Sequence, residues 1–233
     1  RDHFFEGKAV LPAVETLIAL ARAVRTHYPQ AALHNQAFAQ FPRMLAIDPK
    51  VETQDAQVEI ENSSEGIKAS LLTVMKIKSS PMSRILEHAY VTFVQHAASL
   101  TPTMAFREAR DPAGACIHIP SVSVYRELIP FGSSYQNITG DLAVSKEGAF
   151  ASVSGGSGEA DDTVLGSPFV LDAAMHAACV WGQRFTGIVP FPVGIDRRII
   201  HRATQKGGAY LARIHPVDAS REPLIFDAWI FDQ

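Results

Sequence analysis

The chain has 233 residues and a net charge of −3, with 47% hydrophobic and 19% charged residues. That balance supports a sizeable core and excludes a disordered polypeptide, and without a basic run nucleic acid is not an expected partner. Cys116 and Cys179 are too few and too far apart for a disulfide framework, and no apolar run reaches the roughly 18 residues that a membrane span needs.

The first six residues lack the apolar stretch of a signal peptide, so a reducing cytoplasm is the expected setting. Patterned sequence runs to both ends, as in a piece of a longer polypeptide. Over 13–25, Leu17, Leu20, Ala21 and Val24 recur at helical spacing and Ile18 widens the stripe. This predicts a largely buried helix, with Pro12 in its first turn. Strands are expected at 57–61 and 67–78, joined by a hairpin loop at 62–66. Ile67, Ala69, Leu71, Met75 and Ile77 share one face of the second. The stretch 86–94 is apolar on both faces, as in a central strand. From 100 to 120 the periodicity fades among Pro102, Pro112, Gly114 and Pro120, which reads as a linker between two halves.

The second half repeats the plan. Strands are expected at 121–125, 138–144 and 149–154, then a flexible glycine loop at 155–158. An apolar helix follows over 169–183, and strands close the chain at 193–200, 209–215 and 224–231. Met75, Met82 and Met175 read as core residues. Two long buried helices, each wrapped by antiparallel strands, make an α+β fold, a tandem (double) hotdog. The divisions are a first subdomain at 1–105, a linker at 106–120 and a second subdomain at 121–233.

Two short patterns carry chemistry. His3, Gly7 and Pro12 are spaced H-x-x-x-G-x-x-x-x-P, and Asp172 and His176 form D-x-x-x-H within the second apolar helix. A neutral imidazole suits proton abstraction near neutral pH. A carboxyl among apolar neighbours suits proton donation. Together they can take a proton from C2 of a 3-hydroxyacyl thioester and release the C3 hydroxyl as water. Backbone N–H groups at the helix start near Pro12 suit the thioester oxygen as it gains charge. Taken singly, His3 reads as a surface residue and Asp172 as a helix N-cap, and His176 reads equally as a site residue or a bonded core histidine. No histidine has metal-ligand spacing, so no metal is expected.

In this ordered set the chain resembles the dehydratase domains of modular polyketide synthases and of polyunsaturated fatty acid synthases. The likeness covers nearly the whole chain. His3, Gly7 and Pro12 match the motif of the family's first hotdog, and Asp172 and His176 match D-x-x-x-[QH] of its second. Phe131, Gly132 and Tyr135 fall on the family's Y-G-P-x-F segment, with Phe131 in place of Tyr and Ser133 in place of Pro. Pro192, in Phe191–Gly194, matches a Pro-containing strand near the substrate tunnel.

The resemblance implies His3 as base, Asp172 as acid and His176 as the residue orienting it. It implies Gly7, Pro12, Phe131, Gly132, Tyr135 and Pro192 around the substrate. It implies no metal or diffusible cofactor, because the substrate rides on the phosphopantetheine of an acyl carrier protein. It further implies neighbouring synthase domains and a homodimer. Related double hotdogs that cyclise chains or shift double bonds are the alternative enzymes, and a non-catalytic acyl-binding or dimerising domain is the third option.

Overall fold

The first long helix starts where the chain leaves Pro12. In the computed structural model, which describes residues 2–5, 7–48, 50–51, 53–76, 82–95, 114–157 and 164–233, α1 spans Ala13–His27. Pro12 lies just outside it in extended conformation, rather than in its first turn, and its carbonyl accepts from both Thr16 N and Thr16 Oγ1. Leu17, Leu20, Ala21 and Val24 are fully buried, which is the stripe the periodicity marks.

The strands are β1 (Phe4–Phe5), β2 (Lys8–Val10), β3 (Asn35–Gln40), β4 (Ala46–Ile47), β5 (Gln57–Ser63), β6 (Gly66–Lys76) and β7 (Ser83–Phe93) in the first half. The second half holds β8 (Ile117–Pro120), β9 (Ile138–Ser145), β10 (Gly148–Ser154), β11 (Gly194–Ile199), β12 (Ala209–Asp218) and β13 (Ile225–Asp232). One five-stranded antiparallel sheet runs β11-β3-β7-β6-β5 against α1, and a second runs β13-β12-β10-β9-β8 against α2 (Pro168–Thr186). A small sheet, β1-β2-β4, lies at the start of the chain. Each large sheet closes over one helix around its own apolar core, so the architecture is a double hotdog. No helix among the described residues is long and apolar enough to cross a membrane.

The departures from the sequence reading have physical causes. The core-facing row of β6 ends at Leu71, because β3 and β5 stop pairing near there. Beyond it β6 and β7 continue as a two-stranded ribbon from Thr73↔Leu86 to Lys76↔Ser83. Met75 is therefore 46% exposed and Met82, at its tip, 66%, so neither is a core residue, and Met175 is only partly buried. Ile77 and Lys78 lie outside the described residues.

The segment expected as a strand at 121–125 is helical instead. Pro120 fixes the entry, Ser121–Ser123 start a turn, and a π-turn over Val124–Leu128 presents Val124 and Tyr125 to the core. The end of the expected linker, Ile117–Pro120, is an edge strand paired with β9, and 96–113 lies outside the described residues. Strand β11 crosses from the second half to pair with β3 in the first sheet, from Gly194↔Gln40 to Ile199↔Asn35.

The glycine loop is not loose where it is described. Gly155 and Gly156 are buried. A Cβ on Gly155 would lie 1.9 Å from Gln205 O, so only glycine permits this backbone approach. Gly158 lies outside the described residues.

The α2 core gives a stability test. Trp181 is 5% exposed, donates Nε1–H to Ser145 O at 2.9 Å and packs on Phe185 and Phe226. Trp181→Ala is expected to cost about 3–5 kcal/mol in denaturant unfolding, from lost burial and the cavity left behind.

Candidate active site

Helix α2 starts with a complete cap. Ser167 Oγ accepts from Phe169 N and donates to Gly155 O at 2.6 Å, Pro168 occupies the first helical position, and Gly187 ends the helix at φ 73°. The N-cap role is thus taken by Ser167. Asp172 instead sits in the second turn, 5% exposed, with His176 one turn on and 4% exposed. His176 Nε2 lies 3.0 Å from Asp172 Oδ2. The approach is out of line for a hydrogen bond, and both atoms are buried without a hydrogen-bond partner.

His3 reaches the same place from the other end of the sequence. It precedes β1, and its carbonyl accepts from Val10 N at 3.0 Å. Its ring stacks on Phe131 with centroids 4.0 Å apart and meets the edge of Tyr135 at 5.3 Å. Phe131 also lies 5.2 Å from the His176 ring. The two imidazoles therefore share one phenyl ring as a common wall. His3 Nδ1 is buried and has no partner. Buried polar atoms in folded proteins nearly always find partners. His3 and His176 thus meet on the Phe131 ring, with the Asp172 carboxylate beside His176, and all three side chains bring a buried polar atom to this place.

Electrostatics distinguishes these residues. Burial pushes the His3 imidazole below the usual histidine value of 6.5; the Asp172 charge pulls it part of the way back, and His176 pushes it down again. His3 is thereby kept neutral, as a base must be. An NMR titration should place the His3 midpoint below 6.5.

Several supporting residues have no motif. Tyr125 Oη accepts from Ile138 N at 2.8 Å, so its own proton must point elsewhere, and His176 Nδ1 lies 3.5 Å away. Burial raises the Tyr125 phenol above its usual value, keeping that proton in place. Tyr135 donates its hydroxyl to Glu15 on α1, tying the two halves together; burial, then that bond, raises its phenol. Phe169 meets the Tyr135 ring at 5.6 Å. Tyr125 escapes a sequence reading because 121–125 looks like a strand. Glu15 and Phe169 look like ordinary helix residues.

Of the other residues assigned to the site, Phe131, Gly132 and Tyr135 gather at His3. Pro12 is buried where α1 begins. Gly7 takes φ 75° in the β1–β2 turn, a conformation that favours glycine, and no described protein atom would lie within 4 Å of a Cβ there. It lines a groove of 770 Å³ with Phe4, Lys8, Ala46, Val51 and Asp55, beside the strand that follows His3. Pro192 is exposed in the segment before β11 rather than in a strand.

Searches of known proteins agree with the architecture. No protein-family model matches the chain, and no curated protein does. Solved structures match along its full length. A trans-acyltransferase polyketide synthase dehydratase domain from Brevibacillus brevis superposes with a TM-score of 0.75 at 17% identity, over 100% of this chain and 83% of that one. A trans-acyltransferase polyketide synthase enoyl-isomerase gives 0.71 at 16%, over 100% and 88%. The dehydratase domain from the CurJ module of curacin polyketide synthase gives 0.67 at 18%, over 100% and 80%. The chain thus has the double hotdog fold of polyketide synthase dehydratase domains.

Proposed function

We propose that the chain is a dehydratase that removes water from a 3-hydroxyacyl thioester to give an enoyl thioester. The meeting of His3 and His176 on the Phe131 ring, with Asp172 Oδ2 3.0 Å from His176 Nε2, carries this reading. His3, kept neutral by burial, takes the C2 proton. The C2 electron pair becomes the C2–C3 double bond, the C3–O bond breaks, and Asp172 gives the departing hydroxyl its proton. His176 Nε2 lies beside Asp172 Oδ2 and leaves Oδ1 to the substrate hydroxyl. Amides at the start of α1 stabilise the thioester oxygen.

A thioester on the phosphopantetheine of an acyl carrier protein is the substrate form this reading takes, since a tethered arm can deliver the acyl chain to side chains that are largely buried. The chemistry requires proton transfers alone, with no diffusible cofactor. The CurJ dehydratase, similar in fold, has an inactive His→Phe mutant, which supports a histidine-dependent reaction on this scaffold.

The test is to incubate the chain with a 3-hydroxyacyl carrier protein and to follow the acyl mass. Loss of one water supports dehydration; an unchanged 3-hydroxyacyl thioester overturns it. The likeness to an enoyl-isomerase supports a second reading, a double-bond shift. An enoyl thioester offered as substrate would then change its conjugation but not its mass.

A further inference from the structure

The residue before the proposed base makes contacts that no motif explains. Asp2 lies 132 positions from Ser134 in sequence, yet its Oδ2 accepts from Ser134 N at 3.2 Å and from Ser134 Oγ at 2.8 Å. Its backbone oxygen accepts from Gly132 N at 2.7 Å. The fit is close: a Cβ on Gly132 would lie 2.5 Å from Asp2 Cβ and Cγ. Next to this clasp, Phe131 stacks on His3 at 4.0 Å and Tyr135 meets its edge. Tyr135 is held in turn by Glu15 of α1.

The His3 segment is otherwise held by the Val10 N–H bond to the His3 carbonyl and by the ring contacts with Phe131 and Tyr135. We propose that Asp2 is a positioning residue. Its carboxylate fastens the His3 segment to the turn Ser133–Tyr135, so that the imidazole is pressed onto Phe131 and held toward Asp172. Three hydrogen bonds to one residue fix the segment on both its backbone and its side chain, with the charged acceptor forming the stronger pair. The Ser134 bonds hold the Asp2 carboxyl below its usual value, so the clasp is closed at neutral pH. Serine at 134 is thereby part of the device, because it supplies a hydroxyl donor beside its backbone donor. The inference rests on the dehydratase reading only for its kinetic consequence; the geometry of His3 can be read without turnover.

The experiment compares wild type, Asp2→Ala and Ser134→Ala. Misplacing a base by about 1 Å costs up to about 100-fold in rate. Asp2→Ala is expected to lower kcat roughly tenfold or more with KM within about twofold, and Ser134→Ala to fall between it and wild type. In NMR titrations, the His3 midpoint should rise toward 6.5 in Asp2→Ala, since the released ring regains solvent. The clasp proposal is overturned if both variants keep the wild-type His3 midpoint, ring shifts and kcat. Should Asp2→Ala fail to fold, Ser134→Ala decides alone, since it leaves Asp2 in place. If wild type shows no dehydration, the functional reading fails, and the His3 titrations still decide the clasp.

Discussion

Replacing His3 by alanine is expected to lower kcat/KM for a 3-hydroxyacyl thioester by about 10²–10⁴-fold, the usual worth of a positioned general base. The loss should fall on kcat, because the imidazole takes its proton in the transition state and contributes little to holding the acyl chain. Asp172→Asn keeps the shape of the side chain and removes its exchangeable acid proton, and a loss of similar size is expected. The two residues act in one event, so the double variant should be scarcely worse than either single one. Steady-state kinetics on a carrier-bound substrate, with circular dichroism to check folding, measure this. Full activity in His3→Ala would remove His3 from the chemistry. Loss in His3→Ala with full activity in Asp172→Asn would place the acid elsewhere.

The second large effect is expected from Gly132→Ala, a change of one methyl group outside both motifs. The added Cβ would meet Asp2 Cβ and Cγ at 2.5 Å and Asp2 Cα at 2.9 Å. No side chain tip can swing away here, so the Asp2–His3 segment must move off Phe131. A displacement of that order predicts about a 100-fold loss in kcat. Gly140→Ala is the control. It sits at φ 73° with nothing within 4 Å of a Cβ, so its backbone strain should lower the melting temperature slightly and leave the kinetics alone. Equal kinetic losses in both variants would show that general destabilisation, and not the position of His3, sets the rate.

The sequence carried the helices and most of the strands because their periodicity is long. Leu17 to Val24 and Phe169 to Trp181 have no competing pattern, and the strand over 148–154 alternates, with Ala149, Ala151 and Val153 inward. The strands at 4–5, 8–10, 35–40 and 46–47 went unseen. They are two to six residues long, and in β3 the alternation is broken at Phe38, which takes φ 52° beside a register shift. At the candidate site, His3, Asp172 and His176, which the fold brings together, stand out in the sequence because each falls in a short spaced pattern. Asp2, Glu15, Tyr125 and Ser134 do not, since each matters through a partner brought near by the fold: Ser134 is 132 positions from Asp2, and Tyr135 is 120 from Glu15. Pro192 shows the converse. A motif match put it in a strand, and it is exposed in the segment before β11 instead.

The hand-over of β11 to the first sheet has an outcome for how the chain matures. Until residues 194–199 have been synthesised, one margin of β3 has no hydrogen-bonding neighbour, and an open margin invites pairing with another chain. The first sheet therefore cannot be completed by the first half alone, however well its helix is packed. A cut in the stretch between the halves should leave two fragments that still adhere along β3 and β11, whereas removal of everything after β10 should leave the first fragment prone to aggregate.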